Sequence, residues 1–413
     1  MQPEEDIFFG EIIVENDRIL EVRRVLPGKE MPAQSANGGF DEAIDCAGNL
    51  LMPGFKNAHT HSGMSVLRSL ADDLPLQEWL NDSIFPREAK MTAEDIYYAS
   101  QLSVLEYLTS GITACMDMYL QPEPIAKAMD DVGMRCCQVG AMNDFSQDIG
   151  LLERMLLNGN EADSLQSYML GFHAQYTISE ENLKSIAALA HKYHAPVYCH
   201  ACETESEVRY SIDKYGVPPL VHLDSLGIFD YGGGIYHGVH VTEEEMQIIK
   251  KRGIYVITNP ASNTKLASGI APVTDYVRRD IPVAIGTDSP ASNNCLDFFR
   301  EMFLVTGLAK LREHDAAAMD ARTVLRMATV NGARAMHLAD CETLSPGQKA
   351  DMIMLDLHQP NMQPLNNIQK NIVYSGSKQN VLLTMINGRI LYQNGKFADG
   401  IDVERIYSHV SQA

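Results

Sequence analysis

Apolar residues fall into two kinds of pattern along this chain. Near both ends they alternate with polar positions in short stretches broken by turns: "GEIIVENDRILEV" and "AIDCAGNLLMPG" at the start, "ADMIMLDL" and "VLLTMINGRILYQNG" towards the finish. Such alternation predicts strands with one buried face, and Asn387-Gly388 is a hairpin signal between two of them. Two β-rich ends around a different middle predict one small β unit assembled from residues 1–54 and 344–413.

Through the middle, residues 55–343, short apolar runs near 55–59, 113–117, 135–140, 169–174, 196–200, 234–238, 254–258 and 283–287 alternate with helical periodicity. Thr92 to Asp95 and Thr242 to Glu245 read as capping boxes, and Gly111 and Gly253 fit just past helix ends. Repeated strand–helix units of this number predict a parallel (β/α)8 TIM barrel with a small β-sandwich built from both chain ends. An open doubly wound sheet is the rival, but no Gly-x-Gly-x-x-Gly follows a predicted strand.

In such barrels chemistry sits at the C-terminal ends of the strands. Polar residues cluster there: His59 and His61 on the first, Asp117, His173, His200, His237 and Asn259 on later ones, Asp288 on the last. In an extended segment, residues i and i+2 share a face, so His59 and His61 can converge on one point. That point is a metal ion or open solvent. A catalytic metal site takes neutral imidazoles and a carboxylate and leaves room for water, a set that His59, His61, His200 and Asp288 would supply. Asp288 in "GTDSPASNN" also fits an ordinary Asx turn. Glu203, three residues past His200, suits a proton shuttle, whereas Glu205 and Glu207 read as the acidic, solvated start of a helix. His237 lies on a predicted strand end and can take a proton from water, while His240 packs or caps.

Charge and cysteine usage narrow the partners. The net charge of -21, without a basic cluster, argues against nucleic-acid polymers and anionic membrane surfaces. No apolar run reaches about 18 residues, which predicts no membrane span, and the acidic start of the chain does not resemble a secretory leader. The expectation is a cytoplasmic enzyme of small molecules. The eight cysteines show no disulfide framework, and Cys199 and Cys202 read as packing rather than redox residues.

The stretches "PGFKNAHTHS", "HACETESE", "TNPASNTKLASGIAPV" and "GTDSPASNN" closely resemble the amidohydrolase superfamily. They are most similar to the branch holding adenosine-type deaminases, guanine deaminase and triazine hydrolases, and within it to the 5'-methylthioadenosine/S-adenosylhomocysteine deaminase group. The resemblance spans nearly the whole chain. It implies one divalent metal per subunit, zinc or else iron, on His59, His61, His200 and Asp288. It also implies a mononuclear site, because "YMLGFHAQY" lacks the lysine that two-metal members carboxylate. It makes Glu203 the acid/base group and sets His237 beside the hydrolytic water. Glu88 then accepts from ribose hydroxyls, His173 contacts the sugar side, and Trp79, the only tryptophan, lies in the same long loop after the first barrel strand. The implied partner is an aminopurine nucleoside or related heterocycle, and a homo-oligomer stays open.

One departure from that group bears on the substrate. The run "VGAMNDFSQDIGLL", residues 139 to 152, has no basic residue to meet a substrate carboxylate, which favours an uncharged 5' group. Guanine deamination, triazine hydrolysis and cyclic-amide opening remain alternatives on the same site, as does a barrel that only binds a metabolite.

Overall fold

A computed structural model describes residues 7–25, 39–161 and 163–412. Residues 1–6 and 26–38 of the N-terminal β segment, including the very start of the chain, lie outside them.

A first hairpin, β1 (Gly10–Glu15) and β2 (Arg18–Arg24), turns at Asn16-Asp17. The short strand β3 (Leu50–Pro53) then leads into β4 (Phe55–Thr60) with only Gly54 between. A Cβ at Gly54 would stand 2.1 Å from Cγ2 of Thr113, so only glycine lets the chain pass from sandwich to barrel here. The barrel continues through β5 (Ile112–Met118), β6 (Arg135–Val139), β7 (Gln166–Ala174), β8 (Val197–Ala201), β9 (Gly233–His237), β10 (Ile254–Thr258) and β11 (Val283–Ile285).

These eight parallel strands pair in chain order. The seam between the first and last closes through a parallel bridge of Thr60 with Asp288 and the Asp288 N–H on the His59 carbonyl at 3.0 Å. The strands are buried on both faces, as a parallel barrel wrapped in helices requires. Ala58, Met116, Cys137, Tyr198, Tyr236 and Ile257 fill the interior. Cys199 and Cys202 belong to the core outside it and are free thiols. The helices start where expected: Thr92 and Thr242 form capping boxes with Asp95 and Glu245, and Gly253 ends its helix at φ 66°.

The second sheet runs β15 (Lys396–Phe397), β14 (Arg389–Gln393), β13 (Val381–Ile386), β12 (Met352–Leu355), β3, all antiparallel. Asn387 and Gly388 both take left-handed φ, 52° and 75°, the geometry of a tight primed hairpin turn. The β1–β2 hairpin packs Ile12, Val14, Ile19 and Val22 onto Leu51, Met352 and Met385 of this sheet. Burying a side chain such as Ile19 there contributes about 1.5–3 kcal/mol. After β15 the chain returns to the barrel, where the helix Val403–Val410 seats Ile406 against Tyr98 and Leu105.

The segment carrying Trp79 and Glu88 is helical rather than a loop: Leu76–Glu78, Trp79–Ile84 and Phe85–Glu88 follow one another as short helical turns. Leu76, Trp79, Leu80 and Ile84 recur at helical spacing and are buried, so apolar packing orders the segment over the barrel mouth.

Candidate metal centre

Five side chains from four strand ends meet at the C-terminal rim of the barrel. His59 lies in β4 and His61 just past it; His200 lies in β8, His237 ends β9, and Asp288 follows β11. His59 Nε2 is 3.2 Å from His200 Nε2 and 3.6 Å from Asp288 Oδ1, and His61 Nε2 is 3.3 Å from the same oxygen. His237 stands one step back, its Nε2 3.9 Å from Asp288 Oδ2 and 3.7 Å from Glu203 Oε2.

The far side of each ring decides what the near side offers. Nδ1–H of His61 donates to the Met118 carbonyl, that of His200 to the His173 carbonyl at 2.7 Å, and that of His237 to Asn263 Oδ1 at 2.7 Å. Each Nε2 lone pair is therefore aimed inwards. Burial, reinforced by neighbouring imidazoles, holds both His59 and His200 well below the ordinary histidine range, so neither ring carries a proton charge. Burial alone would raise Asp288, but its contact with His61 and the histidines around it outweigh that and hold the carboxyl well below the usual carboxylate range. Four ligand atoms about 2.1 Å from a common tetrahedral centre stand about 3.4 Å apart. The donor separations of 3.2, 3.3 and 3.6 Å fit that figure. Three imidazoles and a carboxylate thus fit one divalent ion, His59 grouping with His61 and Asp288 and also with His200 and His237, and zinc and iron alike suit such a set.

Around the centre the backbone is strained. Cys202, His237 and Asp288 take left-handed φ values of 56°, 74° and 58° without being glycine. Buried hydrogen bonds hold them. Ser262 Oγ and the Ser289 N–H donate to the two Asp288 oxygens at 2.5 and 2.7 Å. Glu207, expected to be a solvated helix-start residue, is instead buried. Its carboxylate accepts the N–H groups of Cys202 at 2.9 Å and Glu203 at 2.8 Å, and burial pushes it up to about 7. Glu205 is exposed, as expected. Ser268 Oγ donates to Glu203 Oε1 at 3.4 Å, and burial raises the Glu203 carboxyl against the pull of His237. His240 lies outside the cluster, its ring bonded to the Ser268 carbonyl.

Above the centre opens a cleft lined by Trp79, Glu88, Tyr119, His173, Tyr176 and Glu203 among others. His173 Nδ1–H donates to Thr177 Oγ1 at 3.0 Å, because that hydroxyl is itself spent on the Ala174 carbonyl, and Nε2 stays free to accept. Burial raises the Glu88 carboxyl, partly offset by the Tyr119 hydroxyl. Of the other polar strand ends, Asp117 accepts the Ser62 N–H and is pushed by burial to about 6. Both side-chain polar atoms of Asn259 are buried without a hydrogen-bond partner among the described residues. Ser262 and Asn263 are not among the residues the sequence pattern singles out, and Glu207 is read there as a solvated helix start. The first two stand within the quoted "TNPASN" just past a strand end, which is the signal that could have found them.

Residues 50–391 match the model of the amidohydrolase family. A 5-methylthioadenosine/S-adenosylhomocysteine deaminase of Thermoanaerobacter pseudethanolicus is 37% identical over 410 residues, 97% of this chain and 93% of the relative. A 5'-deoxyadenosine deaminase of Methanobrevibacter smithii is 36% identical over 416 residues, 98% of this chain and 93% of the relative. Among solved structures, an adenosine deaminase from Xanthomonas campestris with bound zinc superposes at a TM-score of 0.89 and 32% identity, covering 98% of this chain and 92% of that one. With its barrel, its rim of histidines and these relatives, the chain belongs to the amidohydrolase family.

Proposed function

We propose that the protein is a cytoplasmic hydrolytic deaminase that replaces the exocyclic amine of an adenosine-like nucleoside with oxygen from water and releases ammonia. His59, His61, His200 and Asp288 hold one divalent ion, zinc in this reading. The observation that carries it is the placing of two proton-handling groups, Glu203 and His237, beside Asp288 under a cleft shaped by aromatic and apolar walls. Eight free cysteines accord with a reducing compartment. No helix among the described residues is long and apolar enough to cross a membrane.

When bound, such an ion lowers the pKa of water from 15.7 to about 7, supplying the nucleophile at neutral pH. The side chains then divide the proton transfers. His237, its Nδ1–H spent on Asn263, accepts through Nε2 from the attacking water. Asp288 takes up that proton and returns it to the leaving amine. Glu203, whose carboxyl burial raises, donates to the ring nitrogen next to the carbon under attack, so that the ring accepts the nucleophile without becoming an anion, and it recovers a proton from the new hydroxyl as the C–N bond breaks. Glu88 and His173 Nε2 accept from the sugar hydroxyls.

Ammonia release from adenosine, 5'-deoxyadenosine, 5'-methylthioadenosine, S-adenosylhomocysteine, guanine and cytosine, with elemental analysis of the purified protein, tests this reading. Turnover confined to the adenine nucleosides is expected, with about one zinc per chain. Turnover of guanine alone, or of no amine in the panel, would sink it.

A further inference from the structure

We infer that the cleft selects nucleosides whose 5' substituent is uncharged and rejects those that carry an amino-acid tail. This rests on the deaminase reading and narrows its substrate. Among the described residues, no lysine or arginine lines the cleft. Its upper wall is apolar, built from Leu76, Leu80, Ile84, Phe85, Leu120 and Leu266, and the charged groups that face it are the carboxylates of Glu88, Glu203 and Asp288.

Three cations on the bordering segments are engaged elsewhere, and Lys90, exposed two residues past Glu88, does not line the cleft. Lys265, beside Leu266, binds Asp72 and the Ala291 carbonyl; Arg68 binds Glu106 at 2.6 Å and the Asn294 carbonyl at 2.9 Å; Arg87, beside Glu88, donates to the Ser83 carbonyl at 2.7 Å. An amino-acid tail brings both an ammonium and a carboxylate. The ammonium finds acidic partners here, whereas the carboxylate loses its water to hydrocarbon and carboxylates, with no cation to replace it. A methyl or alkylthio group meets the same wall favourably.

The test is kcat/KM of the zinc-loaded full chain for four substrates: 5'-deoxyadenosine, 5'-methylthioadenosine, S-adenosylhomocysteine, and 5'-butylthioadenosine, whose tail has similar length but no charge. The first two and the butylthio compound should lie within about 10-fold of one another, and S-adenosylhomocysteine at least about 100-fold below them. S-adenosylhomocysteine turned over as well as 5'-deoxyadenosine would overturn the inference while leaving the deaminase reading intact. Rejection of the butylthio compound to the same degree as S-adenosylhomocysteine would also overturn it, because length and not charge would then be read. Loss of all four activities would overturn both.

Discussion

At the N-terminal end of the barrel, Arg135 at the start of β6 meets Asp351 of the sandwich in a two-pronged pair of 2.7 and 3.0 Å, with both residues buried. Lys56 lies beside it, its ammonium held by the Gly54 carbonyl and Thr113 Oγ1, and the Asn387 N–H completes the shell of Asp351 at 2.8 Å. At the other end, acceptor atoms converge: His59 Nε2 stands 3.2 Å from His200 Nε2 and 3.6 Å from Asp288 Oδ1, and His61 Nε2 3.3 Å from that same oxygen. Both ends bury charge and polarity, which costs several kcal/mol per ion unless it is compensated. At the lower end donors and acceptors match within the protein, so the group joins barrel to sandwich. At the upper end lone pairs predominate, and only a cation from outside completes the set. Buried polarity that closes on itself is architecture, whereas buried polarity that converges unmatched is a binding site.

Breaking the upper set should have the largest effect. Asp288→Asn and His200→Ala are expected to purify with little metal and to lose on the order of 10^4 in kcat/KM, while retaining the far-UV spectrum of the parent. Full metal content in either variant would remove the ligand assignment. Breaking the lower set should show the reverse profile. Arg135→Met leaves the Asp351 carboxylate buried with only Lys56 and the Asn387 N–H for company, at a cost of about 3 kcal/mol in urea unfolding. Metal content and kcat at 25 °C should hold. Adding Asp351→Leu should recover most of that loss, and failure to recover it would show that the pair is not an isolated unit.

The upper end was far more legible in the sequence than the lower. Parallel barrel strands are continuous apolar runs, so a histidine or aspartate that ends one is conspicuous, and His59, His61, His200, His237 and Asp288 stand out on that ground alone. Arg135 and Asp351 lie 216 residues apart, and no local period links them. Glu207 was hidden for another reason. In "CETESEV" three glutamates alternate at a helix start, where negative charge is favoured whatever its surroundings. Only the left-handed turn at Cys202, which brings two N–H groups over one carboxylate, separates Glu207 from exposed Glu205. The helical turns of 76–88 escaped notice because Asp72, Asp73 and Pro75 mark a loop, and the wide turn Trp79–Ile84 blurs the 3.6-residue period.

Between the extremes lie residues that touch neither metal nor substrate but hold those that do. Glu207→Gln keeps an acceptor for one of the two N–H groups and sets an amide donor against the other. It should lower kcat by about 10- to 100-fold with unchanged metal content and KM. A fall in metal content instead would place Glu207 among the supports of His200 rather than of Glu203.

The smallest effect belongs to Glu301, which ties the turn after β10 to the turn after β11. Its carboxyl accepts the Ala261 N–H at 3.1 Å and the Asn293 amide at 2.7 Å, next to the Ser262 and Asn263 that bond Asp288 and His237. Burial raises it from an ordinary 4.5 to about 8, against those two donors. The folded chain therefore keeps a proton that the unfolded chain releases. That stabilisation is whole below pH 4.5 and is lost as pH rises through 8. Glu301→Gln has no such proton, so its stability relative to the parent should improve by about 1 kcal/mol for each pH unit between 6 and 7, in urea unfolding of the metal-loaded proteins. The metal's own pH dependence cancels in the difference. A constant difference across that interval would mean that Glu301 is ionised when folded, and that the upper end tolerates an unmatched buried charge as well as unmatched lone pairs.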